Sequence, residues 1–174
     1  MELNSENINF YVKINNKKKI REITTKFNKS EGNDSNKQIK AMVNSMYDKM
    51  KDPLINFETY EISNNDAVVA YALVTHYKDS HLKILNYIYT EKDYRNFGLG
   101  QTLVKTLMAF CDQSEDCFMV ELLKEDVFAK RGFYDKLGLS VTASGIMVNN
   151  ITISNQENYD KLAKHSQYKI VKAA

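Results

Sequence analysis

The sequence predicts an α+β fold of three layers, a mixed, mainly antiparallel central sheet flanked by helices, and three observations carry that prediction. Three β-rich runs follow one another between residues 56 and 90, separated only by short turn-forming segments. Two amphipathic helical patterns precede them. After residue 98, helix and strand patterns alternate as in a layered α/β arrangement.

Taken in order, Ile8 to Ile14 (INFYVKI) has the composition of a short first strand. Ile20, Ile23 and Phe27 then recur at helical spacing. A longer apolar stripe runs through Ile39, Met42, Val43, Met46, Tyr47 and Met50, with Ser35 as its candidate cap and Pro53 just beyond its end. Between the two helices lies NKSEGNDS, residues 28 to 35, a polar loop centred on Gly32 that is either a substrate mouth or a solvated connector. The basic run Lys17-Lys18-Lys19 has the character of a solvated first turn.

The three β-rich runs are Asn56 to Ser63, Ala67 to Tyr77 and Leu82 to Thr90. Asn64-Asn65-Asp66 supplies a hairpin turn between the first pair, and Lys78 to His81 joins the second, so the centre is an antiparallel meander. A helix from Leu99 places Leu99, Leu103, Leu107, Phe110 and Cys111 on one face, which suits packing on a sheet. A strand at 118 to 123, a helix at about 127 to 137 and a β-rich tail through Ser154 complete the pattern. Residues 155 to 174 carry mixed signals, and no repeat or linker divides the 174 residues into more than one domain.

Composition narrows function by exclusion. Lys+Arg at 24 against Asp+Glu at 22 gives a formal charge of +2, too balanced to suggest nucleic acid or anionic lipid as a partner. No apolar run reaches the length of a membrane span, and MELNSENINF lacks the basic start and apolar stretch of a signal peptide, so the expected location is the cytoplasm. Cys111 and Cys117 have no second pair with which to build a zinc site and are read as reduced packing residues; no metal is expected.

The informative stretch is YRNFGLGQ, residues 94 to 101, which holds two of the six glycines. A strand, a glycine-bearing loop and a helix start together make an anion site. The first helical amides lack intrahelical partners, the helix dipole adds partial positive charge, and glycine removes the Cβ that would block a bulky anion. Arg95 adds a permanent charge beside it. There is no Gly-Lys-Ser/Thr, which excludes the nucleoside-triphosphate loop, and the third glycine of a dinucleotide fingerprint is missing. What remains is Arg-x-x-Gly-x-Gly at Arg95, Gly98 and Gly100.

That pattern resembles the pyrophosphate loop of the GNAT superfamily of N-acetyltransferases, Arg/Gln-x-x-Gly-x-Gly/Ala. The resemblance extends to YTEKDY before the loop and to FYDKLGL at residues 133 to 139, which is similar to the family's Phe-Tyr-x-Lys-Leu-Gly-Phe segment. It covers residues 58 to 141, roughly half of the chain. The resemblance implies a GNAT-like sheet and acetyl-coenzyme A as co-substrate. It implies that Asn96, Phe97, Gly98, Leu99, Gly100 and Gln101 cradle the pyrophosphate beside Arg95, and that the pantetheine arm lies along Ile88, Tyr89 and Thr90.

The same resemblance makes Tyr134 the candidate general acid for the leaving thiolate, with aromatic packing as its alternative role. Glu121 is either a general base or substrate ligand, or a solvated strand residue; Asp126 stands where the family often has an asparagine and is read as a helix N-cap. His76 is a weaker candidate base, and Glu91 is expected to face water. The activity implied is transfer of acetyl from acetyl-coenzyme A to a primary amine on a small molecule, a protein N-terminus or a lysine. Two other readings stand beside it: a non-catalytic acyl-coenzyme A sensor or scaffold, and a fold relative whose loop holds another phosphate. The acceptor, the acyl chain and the oligomeric state, a homodimer included, are left open.

Overall fold

The computed structural model describes residues 8–22, 33–121, 132–141 and 146–149. Seven strands among them form one sheet, in the spatial order β1-β2-β3-β4-β5-β7-β6. The first four are β1 (Ile8–Ile14), β2 (Ile55–Asn64), β3 (Ala67–Tyr77) and β4 (Leu82–Thr90), each antiparallel to the next. Then β5 (Cys117–Glu121) joins β4 in parallel, and β6 (Leu139–Val141) and β7 (Ile146–Asn149) complete the far edge.

The meander forms where the turn chemistry demands it. Asn65 and Asp66 take φ values of 49° and 63°, the two left-handed positions of a type I′ hairpin turn, a geometry that Asn and Asp tolerate better than other side chains. The strands either side are buried along nearly their whole length because helices cover both faces. Hence they appear in sequence as continuous β-branched and aromatic runs instead of alternating ones.

Helix α1 (Asn33–Lys49) sets Val43 and Met46 against Phe57, Tyr71, Leu73, Tyr87 and Tyr89 on one face, and Ile20, in the helical stretch 17–22, joins that cluster. On the other face α2 (Leu99–Ser114) buries Leu99, Leu103, Val104, Leu107 and Cys111 against Tyr60, Ile62, Val74, Leu85, Phe118 and Val120. Each leucine fully withdrawn from water there contributes about 2 kcal/mol.

Three local expectations need correction. Helix α1 includes Asn33 to Lys49, so Ser35 lies inside the helix and not at its cap. Asn33 and Asp34 are residue types favoured at helix starts, Asp34 also matching the dipole, so the turn-forming run extends the helix. Phe110 is exposed, with ring contacts to Phe10 and Tyr60 at the margin of the core, and Val104 takes its place on the buried face. The helix ends at Asp135, two residues short of the predicted end at about Leu137, and a turn over 136–138 closes at Gly138, φ +80°. Ile23, Phe27, residues 28–32, Asp126 and the tail beyond 149 lie outside the described residues.

Candidate active site

The site grows from the end of β4. Register between β4 and β5 runs from Leu82 opposite Cys117 to Leu85 opposite Val120 and stops there. A bulge interrupts the β3–β4 ladder at the same level, where Tyr87 faces Leu73 but Leu85 faces Val74, leaving Asn86 as the extra residue. Beyond it, β4 keeps β3 on one side only among the described residues.

The alternation of the antiparallel ladder fixes which backbone groups meet that open side. The Glu91 N–H donates to the Val69 carbonyl at 2.9 Å. Counting back by twos, Tyr89 and Tyr87 bond β3, while the N–H and C=O groups of Ile88 and Thr90 point away from it. An amide-bearing chain laid along this flank would meet a donor and an acceptor at Ile88 and a donor at Thr90, whose carbonyl accepts from Arg95 Nε.

A short 3₁₀ turn, Lys92–Tyr94, leads from the strand into the glycine loop. Asn96 and Gly98 both adopt left-handed conformations, φ 68° and 78°, which curl the backbone into the start of α2. Gly98 is the N-cap; its carbonyl accepts from the Thr102 N–H at 3.0 Å and from the Thr102 hydroxyl at 3.1 Å. It has no side chain to turn back on the helix, and no acidic residue stands in the first turn. The amides of Leu99, Gly100 and Gln101 therefore open the helix without an intrahelical acceptor. Asn96, Phe97 and Gly98 are exposed at the mouth, as a cradle for an anion must be.

The second glycine sits in closer quarters. A Cβ at Gly100 would sit 3.5 Å from the Phe133 ring and 3.9 Å from the Ile88 side chain. A side chain there would rest at ordinary contact distance, so helix and strand pack closely at this position while the Gly100 amide still faces the helix start. This contact also brings three separated segments together: Ile88 on β4, Gly100 at the start of α2, and Phe133 beside Tyr134.

Tyr134 is 2% exposed and belongs to the cluster that contains Leu103 and Val120, its ring edge-on to Phe133 at 5.0 Å. Arg95 is exposed, but its Nε donates to the Thr90 carbonyl at 3.0 Å and its guanidinium lies over the Tyr89 ring at 5.5 Å. Glu91 is half-buried, accepting from the Tyr89 hydroxyl at 3.5 Å instead of simply facing water. Glu121 ends β5, paired with Ile146; its side chain is outside the described residues.

His76 is not placed to act as a base. It lies at the opposite end of β3, opposite Lys83, with Nδ1 3.0 Å from Glu58 Oε1 and Nε2 3.5 Å from Asp116 Oδ2. Burial alone would lower its pKa, but the two carboxylates outweigh burial and raise it to about 9, so the ring is already protonated at neutral pH.

The surrounding cluster was not foreseen. Lys83 Nζ reaches Glu58 Oε2 at 3.2 Å and Asp116 Oδ2 at 3.9 Å, the Tyr60 hydroxyl donates to Glu58, and Ser114 donates to Asp116. Burial works to raise both carboxyl pKa values. Hydrogen bonds from His76 and Tyr60 and the Lys83 charge hold Glu58 below its ordinary value; His76, Ser114 and Lys83 do the same for Asp116. Cys111 nearby is a buried free thiol, pushed up to about 12 chiefly by burial, in keeping with a packing role. Lys19, in the basic run, is half-buried and lies 3.8 Å from the fully buried Glu61 carboxylate, while Lys17 and Lys18 are exposed.

Among the described residues no helix is long and apolar enough to cross a membrane, and no group of three or more His, Cys, Asp or Glu is arranged to hold a metal ion. No curated protein matches the chain. Residues 56–139 match the family model described as an acetyltransferase (GNAT) domain. The fold is similar to that of Tetrahymena GCN5, at 14% identity, with 92% of this chain and 89% of that one covered and a TM-score of 0.59. It is also similar to the ribosomal-protein-S18-alanine N-acetyltransferase of Escherichia coli, at 12% identity, 78% and 80% coverage and a TM-score of 0.55. Naa50 of Arabidopsis thaliana, in complex with the bisubstrate analogue CoA-Ac-MVNAL, is similar at 15% identity, 78% and 85% coverage and a TM-score of 0.53. The glycine loop at the end of β4, the Phe133–Tyr134 segment seated against it, the mixed sheet and the match over residues 56–139 agree, and the chain is similar in this region to the acetyltransferase (GNAT) domain.

Proposed function

We propose that this protein is a cytoplasmic N-acetyltransferase that moves the acetyl group of acetyl-coenzyme A to a primary amine by direct attack. The observation that carries the reading is the meeting of Ile88, Gly100 and Phe133, which brings the glycine loop, the open flank of β4 and Tyr134's segment into one place. The uncapped amides of Leu99, Gly100 and Gln101, with Asn96, Phe97 and Gly98 at the mouth, fit a pyrophosphate. The outward N–H and C=O groups of Ile88 and the outward N–H of Thr90 fit the amides of a pantetheine arm.

Attack of a neutral amine on a thioester passes through a tetrahedral oxyanion and expels a thiolate. Backbone N–H groups on β4 near the bulge are suited to the oxyanion, being fixed in the strand before reaction begins. Tyr134 supplies a hydroxyl donor for the departing sulfur. An alkyl amine has a pKa of about 10.4 in water, so its proton must be removed first. Glu121, at the end of β5, is the proposed recipient, directly or through water.

Acceptor class is the finer part of the proposal. Two of the similar structures are named for protein N-terminal chemistry or hold a peptide-bearing bisubstrate analogue, so peptides beginning with alanine or methionine head the acceptor panel.

Thermal stabilisation by acetyl-coenzyme A, followed by thiol release on a panel of peptides and small amines, tests the reading. Stabilisation with release supports it. Stabilisation with no release on the full panel favours a binding module, and no stabilisation at saturation removes coenzyme A altogether. With an accepted amine in hand, Tyr134→Phe is expected to lower kcat by about 100-fold with little change in the KM for acetyl-coenzyme A. An unchanged kcat would remove Tyr134 as the acid.

A further inference from the structure

Arg95 occupies the first position of the loop motif, where a cation is most simply understood as a phosphate ligand. Its geometry says otherwise. Nε donates to the Thr90 carbonyl at 3.0 Å, and the guanidinium carbon lies over the Tyr89 ring, 5.5 Å from its centroid. Thr90 is one of the two residues whose backbone groups face the open flank of β4, and Tyr89 is the residue between them. The bond spans five residues, from the last acceptor of the flank to the first residue of the glycine loop.

We propose that Arg95 is a positioning residue: it fixes the end of the β4 flank relative to the phosphate loop, so that both stretches of a coenzyme A molecule find their backbone partners at one spacing. The inference rests on the coenzyme A reading above and assigns a role within it. The bond engages the Thr90 carbonyl, leaving the Thr90 N–H and both groups of Ile88 to receive the amide arm. It also sets where the arm must end and the pyrophosphate begin. Without it, the segment from Glu91 to Phe97 is tied to the sheet by the Glu91 N–H bond to Val69 and by the contact between Asn64 and the Tyr94 hydroxyl at 3.4 Å. Preorganisation of this kind raises affinity by sparing the ordering cost at binding, with no contact to the ligand.

The chemistry of the side chain separates a tie from a phosphate ligand. A glutamine amide nitrogen stands at the same distance along the side chain as arginine Nε and is likewise a planar N–H donor, but it is uncharged. Lysine keeps the charge, places its donor one bond further out and lacks the planar group that lies over Tyr89.

Arg95→Gln, Arg95→Lys and Arg95→Ala would be titrated with acetyl-coenzyme A by calorimetry at low and moderate salt, with a thermal melt of each free protein. The role as a tie requires Arg95→Gln to bind within about threefold of the native protein, and Arg95→Lys and Arg95→Ala to bind about tenfold more weakly. The salt dependence of affinity should be the same for all four, because no phosphate contact is gained or lost. The proposal is overturned if lysine restores binding and glutamine does not, with a flatter salt dependence in the uncharged variants; Arg95 is then a phosphate ligand. It is equally overturned if all four bind alike, or if only the free-protein melting temperatures differ. Failure of the native protein to bind acetyl-coenzyme A would remove the underlying reading first, and this role with it.

Discussion

Gly98 and Gly100 stand two positions apart and look interchangeable in sequence, yet the backbone uses them differently. Gly98 is at φ +78° with open space where a Cβ would go, so its requirement is conformational. Gly100 has an ordinary φ, and a Cβ there would lie at ordinary contact distance from Phe133 and Ile88, so neither conformation nor space demands glycine as strongly. Gly98→Ala is therefore expected to cost about 1–2 kcal/mol in chemical denaturation through the left-handed conformation. Gly100→Ala, whose new methyl would rest at ordinary contact distance, should cost less than Gly98→Ala; the reverse order would contradict this division of roles. The sequence made the pair visible, since glycine is scarce in this chain, but φ and the identity of a distant neighbour are not local properties. His76 was opaque for the same reason. Its ionisation depends on Glu58 and Asp116, eighteen and forty residues away in the chain, which only the sheet brings together.

Elements were the most legible level. The bounds of β1, β3 and β4 coincide with those read from composition; for β3 and β4 this is because a strand covered on both faces must be built from β-branched and aromatic residues throughout. The start of α1 was misplaced because Asn, Asp and Ser serve helix starts and turns equally well. Pairing is less legible than extent. That β4 is paired along its whole length on one side and over half its length on the other follows from where β5 stops, which no window of β4 reveals. Strand β4 should accordingly show alternate-residue hydrogen exchange. In the free protein the amides of Ile88 and Thr90 are expected to exchange faster than that of Tyr89 between them, and acetyl-coenzyme A should slow Ile88 and Thr90 selectively. Uniform protection of all three in the free protein, measured by two-dimensional NMR, would contradict an open flank.

At the scale of the whole molecule, the layered architecture was readable from the order of helical and extended patterns, and the acceptor side was not, since the segments before residue 56 carry no diagnostic residues. Nor was the buried charge cluster readable. Its members come from β2, β3, β4 and the turn after α2, and each in isolation looks like a solvated strand or turn residue. Its effect on stability has a definite sign. His76 has a folded pKa of about 9, above the unfolded value near 6.5, so its contribution is complete below about pH 6.5 and is lost as pH rises through 9. Glu58 and Asp116 are held below their ordinary values, so theirs is present above about pH 4.5 and lost as pH falls. Denaturation free energy should thus be highest between about pH 5 and 6.5, falling by roughly 2 kcal/mol from pH 7 to pH 10 on account of His76. His76→Gln should reduce that alkaline fall; an unaltered fall in the variant would exclude His76 as its source.

The location of this cluster has a mechanical meaning. The sheet is two half-sheets, β1–β4 and β5–β7–β6, sewn together by a seam only four residue pairs long, Leu82 to Leu85 against Cys117 to Val120. Lys83 is one of the stitches, and Asp116 immediately precedes the first of them on the other side. The open flank of β4 begins at the far end of this seam. The ion pairs of Lys83 and Asp116 therefore brace the two half-sheets at the closed end of the seam, opposite the end at which β4 is left open.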